Sequence, residues 1–166
     1  LWVADLISEF CKETFISCRP DQAEELSGGK YPPLADTFTG LGPFGAIASA
    51  FRSNPNVAWL VVACDLPLLG KTGIRQLVKS RNTSKIATAF NSPVSPFPEP
   101  LVAIWEPRSY PALLHFLTLG YACPRKVLIN TNIARIDIQD NEELSNVNDP
   151  EAYTEIMHKL SEGNQG

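Results

Sequence analysis

The sequence predicts an α/β domain built around a largely parallel sheet. Three observations point there. Short apolar runs alternate with stretches of helical periodicity along the chain. The run Trp59-Leu60-Val61-Val62-Ala63-Cys64 is apolar without alternation, as in a central strand covered by helices on both faces. Glycine and proline clusters punctuate the runs, as at Ser27-Gly28-Gly29 and Thr39-Gly40-Leu41-Gly42-Pro43.

The elements follow in order. Val3, Leu6, Ile7 and Phe10 have the spacing of an amphipathic helix. Residues 14–18 read as a short strand stopped by Arg19-Pro20, residues 22–26 as one helical turn, and 32–36 as extended chain, because a residue before proline is pushed out of the helical region. A helix is expected over 44–52 and another over 72–80, with the apolar strand 59–64 between them and closed by Asp65-Leu66-Pro67. Residues 86–90 form the next strand, and the proline-rich stretch 92–100 a loop. A strand follows over 101–105. Pro107 suits a helix start and Gly120 its stop. Residues 125–129 read as a short helix and 134–138, which alternate, as an edge strand. Asp149-Pro150 fits a helix cap and first turn. The length of 166 residues suits a single domain, expected over residues 1–160, with 161–166 as a flexible tail.

Composition narrows the function. The net charge of −4 opposes a general nucleic-acid binder, which needs a basic surface to displace counterions. No apolar run approaches the roughly 20 residues that span a membrane. The opening residues lack the basic segment of a secretory signal. Cys11, Cys18, Cys64 and Cys123 include no CxxC pair, and reduced thiols in a cytoplasmic protein are expected. The sequon Asn82-Thr83-Ser84 is disregarded on that ground.

Four features could carry chemistry. Asp65 ends the most apolar strand, and in open parallel sheets ligands bind beyond the carboxyl ends of strands. A carboxylate there suits Mg²⁺, which takes one or two protein carboxylates together with substrate phosphates. The alternative is a turn residue and helix cap. Asp36 precedes Gly40, Gly42, Pro43 and Gly45, where glycines allow close approach of a ligand and a helix start aims N–H groups at an anion. The alternative is a loop that needs only positive φ. Asn146 and Asn148 can bond a base, a sugar or a metal-bound water, or else serve as Asx caps. Arg125 and Lys126 could meet a phosphate, or lie on a solvated helix face. Gly28-Gly29-Lys30-Tyr31 fails the phosphate-loop spacing, and there is no GxSxG elbow. His115, between apolar neighbours, reads as structural, and Trp2, Trp59 and Trp105 read as core.

Taken together, Asp36-x5-Gly42-Pro43-Phe44-Gly45-Ala46-Ile47, the run from Trp59 through Cys64-Asp65-Leu66-Pro67, Pro100-Leu101-Val102-Ala103-Ile104-Trp105 and Asn146-Val147-Asn148-Asp149-Pro150-Glu151 resemble the molybdenum cofactor guanylyltransferase family. Phe15-Ile16-Ser17-Cys18-Arg19-Pro20-Asp21-Gln22 resembles that family's second strand and following loop. Ala46 stands where the family usually has glycine, and Phe44 where it has leucine.

The resemblance implies a Rossmann-like three-layer domain that joins the GMP part of GTP to molybdopterin and releases pyrophosphate. It implies Asp65 as the Mg²⁺ ligand, and Asp36, Gly42, Pro43 and Gly45 at the guanine nucleotide. Asn146 and Asn148 would lie on the product side, with Arg125 or Lys126 near the pterin phosphate. Molybdoenzyme maturation proteins would be its partners. It also implies a first strand and a glycine-rich triphosphate loop, roughly 30 residues ahead of Leu1. The strand ending at Cys64 is then expected to have an unpaired edge, and turnover is expected to need the missing loop. A cytidylyltransferase for the same pterin, a sugar-phosphate nucleotidyltransferase and a non-catalytic domain are the other readings.

Overall fold

A computed structural model describes residues 2–144. It begins with helix α1 (Trp2–Ser8), then strand β1 (Ile16–Cys18), a 3₁₀ turn (Pro20–Gln22) and the short helix α2 (Ala23–Leu26). Strand β2 (Pro33–Ala35), helix α3 (Gly42–Ser53), strand β3 (Trp59–Val62), helix α4 (Lys71–Lys79) and strand β4 (Ala87–Asn91) follow. Strand β5 (Pro98–Trp105), helices α5 (Ser109–Thr118) and α6 (Pro124–Ile129), strand β6 (Ala134–Ile136) and a 3₁₀ turn (Asn141–Leu144) complete it. Asn146, Asn148 and the expected cap at Asp149-Pro150 lie outside the described residues.

One sheet has the order β3-β5-β4-β6. Strand β5 is antiparallel to both β3 and β4, while β6 is parallel to β4. Three of the four strands therefore run the same way, with β5 inserted against them. A separate parallel pair joins β1 to β2.

Two-residue periodicity in the sheet builds two cores. Ala87, Ala89, Ala103 and Trp105 pack with Phe44, Ile47 and Phe51 of α3, Leu113 of α5, and Val127 and Leu128 of α6. Phe90, Val102 and Ile104 pack with Leu6 of α1 and Ile74 and Leu77 of α4. The result is a three-layer α/β/α sandwich. The small alanines on the first face leave room for the bulky side chains of α3 in this core. Arg81, just past α4, meets the buried Glu106 at the end of β5 through two contacts, Nε–Oε1 of 2.6 Å and Nη2–Oε2 of 2.9 Å.

The sequence-based reading needs three adjustments. The stretch expected as a loop over 92–100 joins β5 from Pro98 onward, since Pro98 and Pro100 need donate no ladder bond at those positions. Strand β3 stops at Val62, and each of its residues is only half-buried, not enclosed. The physical reason is its position: β5 pairs one edge, and a groove of about 1200 Å³ borders the other. His115 is exposed on α5, its ring edge-on to Phe116, and is not a core residue. Gly120, at φ 79°, ends α5 in the left-handed conformation expected of a stop.

Candidate active site

The site elements assemble at strand ends. β2 delivers Asp36, whose backbone N–H bonds the Cys18 carbonyl at 2.9 Å, extending the β1–β2 ladder. Asp36 lines a crevice of about 350 Å³ with Arg19, Pro20, Asp21, Thr39 and Gly40. Burial pushes its carboxyl above the usual range, and a weak bond from the Ser17 hydroxyl at 3.4 Å opposes that shift. Burial, then the carboxylates of Asp36 and Asp21, also raise the neighbouring Cys18 thiol, which keeps it protonated and unreactive. Arg19 holds Asp21 through paired 3.2 Å bonds, so one cation and two carboxylates share the crevice.

The turn after Asp36 is fixed from α3. The Ser49 hydroxyl, 2% exposed, accepts the backbone N–H groups of Thr37 at 2.8 Å and Phe38 at 3.1 Å. Gly40 and Gly42 take φ of 76° and 54°, which favours glycine. Gly45 answers to packing: a Cβ there would lie 2.1 Å from the Phe38 carbonyl oxygen. Gly42 and Gly45 thus have conformational and steric reasons to be glycine, and Pro43 sits in the first turn of α3. None of these three lines the Asp36 crevice.

Asp65 follows the carboxyl end of β3, past the Ala63 N–H that bonds Leu101 at 2.8 Å. It is half-buried, and its Oδ1 is buried with no hydrogen-bond partner. Behind it, Leu66 and Leu69 are buried in the core beside α4. Asp65 lines neither the Asp36 crevice nor the larger groove.

Because β5 is antiparallel, its amino end reaches the same rim as the carboxyl ends of β3 and β4. Glu99 lies there and receives Arg125 Nη2 at 3.3 Å. The Arg125 Nε is buried and unpartnered. Lys126 instead stands 3.1 Å over the Tyr121 ring, a cation–π contact on the helix flank. Arg19, Asp21, Thr39 and Ser49 were missed in the sequence. Arg19 was findable, since it directly follows a strand that precedes a turn; Ser49 sits mid-helix and its role appears only in three dimensions.

Comparison with known proteins bears on this arrangement. A family described as MobA-like NTP transferase domain matches residues 1–141. A Synechocystis sp. "Molybdenum cofactor biosynthesis bifunctional protein" is 29% identical over 93% of this chain, which spans only 45% of that protein's length. A "Probable molybdenum cofactor guanylyltransferase" of Bacillus velezensis is 27% identical over 92% of this chain and 79% of its own. The fold matches that of an Archaeoglobus fulgidus "Molybdopterin-guanine dinucleotide biosynthesis protein A" with a TM-score of 0.75, at 22% identity, over 97% of this chain and 84% of that one. The three-layer sandwich, the acidic strand ends and the match over residues 1–141 place this chain in the family of MobA-like NTP transferase domains.

Proposed function

We propose that this domain transfers GMP from GTP to molybdopterin, releasing pyrophosphate, as a cytoplasmic step of molybdenum cofactor synthesis. The observation that carries the reading is Asp65. Its Oδ1 is buried and unpaired at a strand's carboxyl end, and an acceptor-only oxygen in that state fits a cation. Among the described residues no cluster of three or more acidic, His or Cys side chains could form an all-protein cage. That suits Mg²⁺, which is completed by substrate phosphates and waters. When bound, the ion neutralises charge developing on the departing pyrophosphate.

The chain's own residues do the rest. Asp36, Arg19 and Thr39 orient the nucleotide in the crevice at the end of β2. The start of α3, with Gly42, Pro43 and Gly45, shapes the turn that frames it. Arg125 turns toward the rim beside Glu99 to meet the pterin phosphate, with Lys126 on the flank, and Asn146 and Asn148 serve the product side. Placement of the attacking oxygen in line with the α-phosphorus supplies much of the rate. Maturation factors of molybdoenzymes are the expected takers of the product.

The test is pyrophosphate release from GTP and molybdopterin by the full-length protein. Asp65→Asn should lower turnover by about 10²-fold or more, the scale set by losing one charge-stabilising group. Turnover unchanged in that variant overturns the reading; a preference for CTP over GTP moves it to a cytidylyltransferase.

A further inference from the structure

The loop that follows Asp65 runs through Leu66, Leu69 and Gly70 into α4, and it is held at its far end by residues more than sixty positions later in sequence. Glu143 Oε2 accepts the backbone N–H of Gly70 and of Gly73, both at 3.0 Å. Gly73 makes room for this: a Cβ there would stand 2.2 Å from that same oxygen. The neighbouring Leu144 is buried against Leu66 and Leu69. A second clasp reinforces the first, since the Gln76 amide donates to the Asp137 carbonyl at 2.7 Å and accepts the Gln139 N–H at 3.1 Å. Between β3, which fixes the start of the loop, and Glu143, which fixes its end, Asp65 is held from both sides.

Gly73 lies in the first turn of α4, where alanine has the better helix propensity. The glycine therefore spends helix propensity to admit a carboxylate from a distant segment. A simple cap could have come from a side chain at position 70 or earlier, without the long-range contact.

We infer that Glu143 is a positioning residue for the Asp65 carboxylate: by clamping Gly70 and Gly73 it sets the aim of Asp65 and hence the affinity of the divalent cation. The inference rests on the proposed role of Asp65, and the experiment separates the two.

The full chain is titrated with Mn²⁺ alone, and binding is read from paramagnetic broadening of the Cys64 and Leu66 amide signals, well below the melting temperature. Asp65→Asn should abolish saturable broadening. Glu143→Ala and Gly73→Ala should each weaken the ion by about tenfold, the scale for outer partners of a metal ligand. Glu143→Gln, which keeps an accepting oxygen, should recover most of the affinity. The double variant Gly73→Ala/Glu143→Ala should be no worse than either single one, because both remove one clamp.

If Glu143→Ala binds Mn²⁺ like the wild type while Asp65→Asn does not, the clamp is structural and the inference fails with the role of Asp65 intact. If Asp65→Asn binds normally, the reading of the site itself fails. Should Glu143→Ala not fold, Gly73→Ala decides alone, since its new methyl meets the Glu143 carboxylate far more closely than its other neighbour, the Leu69 side chain at 3.3 Å.

Discussion

Gly42 and Gly45 lie in one helix start, yet each is glycine for its own reason. Gly42 needs a positive φ, whereas Gly45 needs the absence of a side chain against Phe38. Gly45→Ala must push the Phe38 carbonyl, a backbone atom, so it should destabilise by about 1–3 kcal/mol in urea unfolding despite alanine's better helix propensity. Asp36 makes a prediction about pH. Its folded pKa is raised by burial, so the native state binds the proton more tightly than the unfolded chain. Its contribution favours folding below the unfolded value near pH 4 and is lost as pH rises through the raised folded value. Asp36→Asn should therefore flatten the fall in stability across that window, measured as the melting temperature relative to wild type. These features were only partly legible beforehand. Asp36, Asp65 and the glycines stood out by type and by position after apolar runs, but which glycine served φ and which served contact depends on a carbonyl brought in by the fold.

At the scale of elements, α3 does more than cover the sheet. It buries Phe44, Ile47 and Phe51 in one core and turns Ser49 toward the loop after Asp36. Ser49→Ala leaves the Thr37 and Phe38 N–H groups without their acceptor, and should cost about 1–3 kcal/mol. Amide exchange should rise at those two positions while the helix itself stays protected. The helices and strands were visible in the sequence because apolar spacing follows 3.6 and 2 residue periods. The strand from Pro98 was hidden by its prolines, which mark loops in sequence and are tolerated where the ladder asks for no donor. The antiparallel course of β5 was not legible either. An apolar run carries no direction, and here that direction decides that Glu99 and Arg125 reach the rim.

For the molecule as a whole, the open space between the two sheets lies beside the strand ending at Cys64, where the resemblance leads one to expect an unpaired edge. The sequence named 59–64 as a central strand, and its apolar character is indeed that of a buried one. The structure leaves one edge of it unpaired among the described residues, because the β1–β2 pair and the four-stranded sheet do not join. Ile7 of α1, Phe10 just after it, Ile47 of α3 and Val78 of α4 are among the residues that line the groove. The Thr14 hydroxyl is buried nearby without a partner. The alternation of hydrogen bonding in a strand identifies which backbone groups look into it. Ala63 bonds Leu101, so the odd residues of β3 face β5, and Leu60 and Val62 face the opening. On the other wall, Asp36 N–H bonds Cys18 and Ile16 N–H bonds Pro32, so Ser17 and Phe15 face the opening.

That arrangement has a signature in solvent exchange. Along β3 the amides of Val61 and Ala63 should trade hydrogen for deuterium slowly, and those of Leu60 and Val62 quickly, in a strict odd–even rhythm; uniform protection would mean that something already lies between the walls.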